Sequence, residues 1–545
     1  MVYTDWAPEV LCTLIKVPGS ADIAHTRPIG IVDILRNCFM GIQFKLIVTV
    51  WVNTGVLSQK QFGSLPNKGT EQARLVQVLA LEFAWVMEIS LAHGTEDKTH
   101  AFDSPHQLGG YELALLRLGV PVVLLDIIKL IDEEGLMLVR IVGALTEAVR
   151  RMRGTVQGGE ESPPKWVAFD DIVLTAWEME RDIDQDSEYE GSEDGFEVQV
   201  SGKAKERVIA TAFVDDKHLF DRPDKISGLY EIAAAVGIFH GVEMVPKKSL
   251  VQVGVWEGQG ASRDLSVQEL GNQLRCDQQV FSAVVVWKQD GNGKLWHDGV
   301  KSVELPHVPP DEPLDSLGDG PNIALSWGWN VEKVKDLVGR AVMVLRRGFA
   351  PGLVHRTIVA TVERSAAYKL LMATVPEKEV NDVSRPLFMV YKQALGIMRG
   401  TPTKAIQAFG GMDWWGTIHI DRIMMVMRVL LGGDTQEKRL LIGSINMLQR
   451  WSGTGGPVLE SQEWDAKGPD RMGWNHTLMG NMVTFLRQFN LEIQGGEGIG
   501  PYRTGDRMII DMYLKGDREV DDETASTLTW GCNVLEVWRV SQLIV

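Results

Sequence analysis

Apolar residues recur at helical spacing over Leu75–Ser90, Tyr111–Ile131 and Leu229–Phe239, and each stretch predicts an amphipathic or buried helix. Lys165–Glu180 repeats the pattern directly after Pro163-Pro164, which suit a first helical turn. Between these helices the texture changes. Val208–Val214 is a short β-rich run that stops at Asp215-Asp216, and apolar character resumes over Lys217–Phe220. That spacing predicts a hairpin with the two aspartates at its tip. From Val331 to Leu431 the pattern is mostly helical. Strands embedded among helices, with a helical C-terminal half, predict a mixed α+β chain.

Polar punctuation sets the organisation. Asp182–Gly195 is acidic and nearly free of apolar residues, so it reads as a solvated loop. Pro306–Pro321, rich in Pro, Asp and Gly, marks a domain boundary. Ser452–Gly456 precedes a tail punctuated by Trp and Gly. No period of 20–50 residues repeats, which excludes a solenoid.

Composition narrows the function classes. The 545 residues are 45% hydrophobic and 23% charged, ordinary globular values that exclude wholesale disorder. The most apolar reach, Leu113–Val139, is interrupted by Arg117, Asp126 and Lys129, so no membrane span is expected, and Met1–Lys16 lacks the basic lead of a signal peptide. Four scattered cysteines without a CxxC pair argue against a zinc site or a disulfide framework, and a reducing compartment is the default. A net charge of −17 argues by itself against a nucleic-acid partner, but ten of the acidic residues sit within Glu178–Glu197.

Three polar constellations carry candidate chemistry, and each has an ordinary alternative. Asp215-Asp216 is either a solvated turn or a site for a divalent cation that neutralises two repelling carboxylates. Asp97–Ser104 is a polar loop in which Asp103 or Ser104 would cap a helix. Gly154–Pro163 is a flexible Gly-rich turn, or a place where a ligand approaches the backbone closely. His93, His100, His106 and His240 show no metal-ligand spacing and read as structural. Arg150-Arg151-Met152-Arg153 reads equally as a contact to a template strand or as a solvated basic helix end. The run His93–Glu96 is polar where a buried strand would be apolar, which predicts a weak strand there.

The order of these blocks is more specific than any one of them. D-x-x-x-A-F-D at Asp97–Asp103, Q-G-x-x-x-S-P at Gln157–Pro163, F-x-D-D at Phe213–Asp216 and Gly241–Ser249 follow one another. Upstream stand Lys16-Val17-Pro18-Gly19-Ser20, Arg27-Pro28-Ile29, and Gly55-Val56-Leu57 through Gln61, Gly63 and Lys68-Gly69-Thr70. Leu118-Gly119-Val120-Pro121 looks like a helix ending. The ensemble resembles the reverse transcriptases of non-LTR retrotransposons, well over residues 10–260 and loosely to 430. The sequence departs from that pattern at Ser64, Leu65, Gly159-Glu160 and Val245.

The resemblance implies an α+β right-hand polymerase. Fingers and a palm with a small antiparallel sheet would span residues 1–305. A linker at 306–330 would carry the primer grip at Leu317-Gly318, a helical thumb-like region would span 331–450, and 451–545 is unassigned. It implies an RNA-directed DNA polymerase, a nucleotidyltransferase that adds dNTPs to a DNA primer on an RNA template. Asp97, Asp215 and Asp216 would be catalytic and would bind two Mg²⁺ ions, with Mn²⁺ as the alternative. Lys16 and Arg27 would hold the triphosphate, Phe102 would be the aromatic gate under the sugar, Gln157 and Gly158 would line the nucleotide pocket, and Lys248 would sit near the pyrophosphate. The implied location is intracellular, nuclear or cytoplasmic for a eukaryotic retroelement, with no membrane partner. A catalytically inactive nucleic-acid-binding relative and an RNA-directed RNA polymerase are the competing readings.

Overall fold

The computed structural model describes residues 8–15, 26–133, 135–141, 144–151, 153–183, 196–201, 204–256, 267–276, 278–289, 295–314, 320–398, 400–402, 405–406, 414–431, 434–451, 477–487, 491–494 and 511–514. Lys16, Leu317-Gly318 and most of the acidic segment, residues 184–195, lie outside them. The N-terminal part runs β1 (Pro8–Ile15), β2 (Thr26–Ile31), α1 (Ile34–Thr54), α2 (Thr70–Met87) and β3 (Leu91–Glu96). After β3 come α3 (Leu113–Arg117), α4 (Val122–Glu133), β4 (Leu136–Ile141), β5 (Ala144–Leu145), β6 (Val149–Arg150) and α5 (Ser162–Ile183). The chain continues through β7 (Phe196–Ser201), β8 (Ala204–Val208), β9 (Ala210–Phe213), β10 (Asp216–Asp221), α6 (Ile226–His240) and β11 (Val251–Gly254). Next are α7 (Val267–Leu274), the hairpin β12 (Phe281–Gln289) and β13 (Leu295–Glu304), and α8 (Gly328–Leu345), α9 (Pro351–Thr357), α10 (Arg364–Leu370) and α11 (Glu377–Ala394). The last described elements are α12 (Trp414–Leu431), α13 (Gln436–Trp451), α14 (Leu478–Arg487), β14 (Leu491–Gln494) and β15 (Asp511–Leu514).

The chain is mixed α+β, with small sheets among many helices. A four-stranded antiparallel sheet has the order β11-β3-β10-β9. A second sheet, β2-β1-β4-β5, contains one parallel pair, β1 with β4. The first sheet is packed on one face by α5 and α6. There Ala92, Ala210, Ala212 and Leu219 join Val173, Trp177, Leu229 and Tyr230 in one apolar cluster. A larger cluster unites α2 with α8, α10, α11, α12, α13 and α14, so the helical C-terminal half shares its core with α2.

The predicted helix over Tyr111–Ile131 is not continuous. A π-helical turn covers Gln107–Glu112, α3 ends at Arg117, and α4 starts only at Val122. Gly119 takes φ +77° between them and Pro121 cannot donate a backbone hydrogen bond, so the break is local chemistry. Neither Asp103 nor Ser104 caps a helix; the Ser104 hydroxyl donates to the Thr99 carbonyl at 2.7 Å. Arg150 lies on a two-residue strand and Arg151 is buried against Asp132, so these arginines do not form a helix end.

Among the described residues one helix, α1, is long and apolar enough to cross a membrane by length and composition alone. Scanning for uncharged runs passes over it because Arg36 and Lys45 interrupt it. One third of its apolar window is buried, and Met40, Phe44, Val48 and Trp51 form part of a core cluster with α3 and α4.

Candidate functional site

The polar run before Asp97 forms a complete strand, contrary to its sequence pattern. β3 lies between β10 and β11, and His93 and Glu96 are buried. The polar side chains are tolerated because the fold supplies partners for them. His93 and His218 meet at 2.7 Å between ring nitrogens. Burial pulls His218 down to about 3, so this pair is neutral near pH 7.

Glu96 is the centre of a buried ion network. The Lys217 ammonium donates to its carboxylate at 3.0 Å, Lys98 contacts its other oxygen, and Lys217 also contacts Asp170 of α5. All four side chains are fully enclosed. Burial pushes the Glu96 carboxyl up, but Lys217 and Lys98 outweigh it and leave it below its ordinary value. At Asp170 burial wins over Lys217 and raises the carboxyl to about 6. Burial pulls Lys217 down, and its two carboxylate neighbours more than offset that.

This network fixes where the neighbouring carboxylates go. Lys217 stands opposite Glu96 in the antiparallel ladder. Asp97 directly follows Glu96 and Asp216 directly precedes Lys217, so the two aspartates leave the same end of adjacent strands. Side chains alternate along a strand, so Glu96 and Lys217 face α5 while Asp97 and Asp216 take the opposite face. Asp215 occupies the β9–β10 turn beside them.

The stretch Gly241–Ser249 wraps the same end. The Val245 N–H donates to the Asp97 carbonyl at 2.8 Å, and the Asp97 N–H donates to the Ser249 hydroxyl at 3.1 Å. Lys248 Nζ lies 3.2 Å from the Asp97 carboxylate; the two side chains are 67% and 40% exposed.

The loop bearing Gln157 and Gly158 is set by α1 and β2. The Gly30 N–H donates to the Gln157 carbonyl at 2.7 Å. Gly158 has φ +116°, and a Cβ there would stand 2.8 Å from the Gly30 carbonyl oxygen, so close backbone packing already explains this glycine. Arg36 of α1 forms a buried ion pair with Glu161 at 3.3 Å. Gln157 Nε2 reaches Asp103 at 3.5 Å. Phe102 is half-buried, its carbonyl accepts the Thr155 N–H at 2.8 Å, and its ring centroid lies 5.8 Å from that of Trp166. Arg27 falls on β2, next to the strand pairing that carries Ile29 and Gly30.

Thus Asp97, Asp215, Asp216 and Lys248 come to one end of the sheet, while Phe102, Gln157 and Gly158 line the adjoining loops. Three carboxylates are hard oxygen donors suited to Mg²⁺. Among the described residues no three His, Cys, Asp or Glu side chains are gathered as a metal-holding group, and the Asp97 carboxylate is engaged by Lys248. Sequence reasoning missed Glu96, Lys98, Asp170 and Lys217. Glu96, Lys98 and Lys217 directly flank the aspartates in the sequence, whereas Asp170 lies inside the apolar helix α5 and carries no such signal.

No family model and no curated protein matches the chain. Among solved structures it is similar to telomerase from Candida tropicalis in complex with a TWJ fragment of telomeric RNA, at 10% identity and a TM-score of 0.35, covering 88% of this chain and 65% of that one. It is similar also to the Candida albicans telomerase complex with a TWJ fragment, at 10% identity and TM-score 0.33, covering 83% of this chain and 66% of that one. A third is apo telomerase from Candida tropicalis truncated from its C-terminal domain, at 10% identity and TM-score 0.33, covering 49% and 53%. The chain therefore spans between about half and two thirds of the length of these proteins. Likeness at this level transfers neither a fold nor an activity.

Proposed function

We propose that the chain is an RNA-directed DNA polymerase of the non-LTR retroelement type, a right-hand polymerase in which the β11-β3-β10-β9 sheet is the palm. The observation that carries the reading is the register of β3 against β10, which puts Asp97 beside Asp216 and the Asp215 turn at one sheet end. Asp97, Asp215 and Asp216 would hold Mg²⁺, or Mn²⁺, which when bound would supply the charge that activates a primer 3′-hydroxyl and steadies a leaving pyrophosphate. Phe102 would close the sugar side of the nucleotide pocket, with Gln157 and Gly158 along its wall. Lys16 and Arg27 would neutralise the triphosphate. Lys248, already at the carboxylate end, would donate a proton to the departing pyrophosphate once a nucleotide draws it off Asp97.

A second reading is supported by the Lys248–Asp97 ion pair and the ungathered carboxylates: a catalytically inactive relative that binds nucleic acid. Primer extension on an RNA template with Mg²⁺ separates the readings. DNA product with dNTPs supports the polymerase. Template binding without product supports the inactive relative, and product only with NTPs supports an RNA polymerase.

A further inference from the structure

The turn that carries Asp215 is held in an unfavourable backbone conformation. Val214 has φ +60°, in the left-handed region where a β-branched residue is a genuine outlier. Such conformations persist only where the surroundings over-determine them. Here the surroundings do so from two sides.

On one side, the indole N–H of Trp166 donates to the Val214 carbonyl at 2.7 Å. On the other, the Gln61 side-chain carbonyl accepts the Val214 N–H at 3.2 Å and the Gly63 N–H at 2.8 Å. The segment bearing Gln61 runs beside β9, with the Phe62 N–H donating to the Ala212 carbonyl at 2.7 Å and the Ala212 N–H to the Lys60 carbonyl at 2.8 Å. A Cβ at Gly63 would collide with Val214, so this approach needs glycine.

Both flanks of the aspartate pair are tied to α5. Trp166 and Asp170 lie four residues apart on one helix face. Trp166 holds the residue before Asp215, and Asp170 holds Lys217, the residue after Asp216. Gln61 joins the two ties, since its amide nitrogen donates to Asp170 at 3.3 Å.

We propose that Trp166 and Gln61 are positioning residues that clamp Val214 in its left-handed conformation and so aim the Asp215 carboxylate. The proposal deepens the polymerase reading and rests on it for its catalytic consequence.

The test uses the full chain carrying Trp166→Phe, which keeps an aromatic ring but loses the N–H, and Gln61→Met, which keeps the length but loses both polar atoms. Hydrogen exchange at the Val214 amide reports the clamp without reference to activity. Exchange is expected to accelerate at least tenfold in Gln61→Met, with the melting temperature and the exchange of β3 amides retained. Primer extension reports the consequence: kcat is expected to fall about 10- to 100-fold in both variants while KM for dNTP stays within about twofold. Unchanged Val214 exchange in a folded variant overturns the clamp. So does loss of activity that only tracks the folded fraction, or an unaltered kcat alongside faster exchange. If the wild type makes no product at all, the polymerase reading fails, and the exchange measurement still decides whether Gln61 holds the turn.

Discussion

Two parts of this molecule bury their interior in opposite ways. The core that joins α2 to the C-terminal helices is built of Leu79, Val334, Leu387, Leu440 and similar residues, all near-completely enclosed. The sheet end that carries the aspartates instead encloses Glu96, Lys98, Asp170 and Lys217. An apolar interior stabilises without direction, because burial is rewarded wherever the area goes. An ion network is a poor source of net stability but a strict one of geometry, because each charge must find its partner. The charged interior sits where strand register decides the placement of Asp97 and Asp216. Within the helical core buried charges such as Glu82 and Arg422 do a similar local job: Arg422 donates to the Leu371 and Ala373 carbonyls at 2.9 Å and fastens α12 to the α10–α11 connection.

The contrast is broken most severely by removing one charge. Lys217→Met should cost about 3–5 kcal/mol, because it leaves the buried Asp170 without its cation and Glu96 with Lys98 alone. Leu440→Ala in the helical core should cost a comparable ~2–5 kcal/mol by leaving a cavity. The two differ in rescue. Replacing Glu96, Lys98, Asp170 and Lys217 together by apolar residues of similar size should recover most of the stability in denaturant unfolding, without recovering primer extension. A quadruple variant as unstable as the single one would mean that the network contributes more than charge balance.

Asp216→Asn keeps shape and should leave the melting temperature within a few degrees. Removing a preorganised charge at a reacting centre costs roughly 10²–10³ in rate, so primer extension should fall by about that factor. Retained extension would move the chemistry away from this sheet end.

Titration separates the two interiors more finely. Burial holds the Glu82 carboxyl at about 8, against the pull of the Leu478 N–H and Arg422. Its ordinary value is 4.5, so between these values the folded chain keeps a proton that the unfolded chain has released. Stability contributed here is present below about pH 4.5 and is lost as the pH rises towards 8. Glu82→Gln should flatten that decline by on the order of 4 kcal/mol in unfolding experiments at pH 5 and pH 8.5. A decline of unchanged slope would show that another group titrates.

The smallest effect is expected at Phe102. Phe102→Ala should raise the ratio of NTP to dNTP incorporation roughly tenfold, equivalent to ~1.4 kcal/mol, by opening volume for a 2′-hydroxyl. The ratio cancels general losses of activity, which matter here because the ring also packs against Trp166. An unmoved ratio with persistent DNA synthesis would make Phe102 a packing residue.

Much of the local architecture follows from short-range pattern. Periodicity places α2, α5 and α6, and the break in apolar character at Asp215-Asp216 places the β9–β10 turn. The candidate carboxylates and the loop glycines are legible as ordered blocks. The long helix expected over Tyr111–Ile131 fails because the apolar spacing continues through Gly119 and Pro121; the break shows in the Leu118-Gly119-Val120-Pro121 motif read as a helix ending, and not in periodicity. The run His93–Glu96 misleads for a different reason: a polar residue looks unfit for a buried strand until its partner is known.

Those partners lie far away along the chain. Glu96 meets Lys217 across 121 positions and Gln61 meets Val214 across 153. The cost of burying a charge depends on what faces it after folding, and no local window contains that information. Residue types and their spacing determine which groups are available for chemistry and which segments become helix or strand. Register, the enclosure of the ion network and the left-handed turn at Val214 arise only when α5, β3 and β10 pack together, because each requires contacts that no single segment makes.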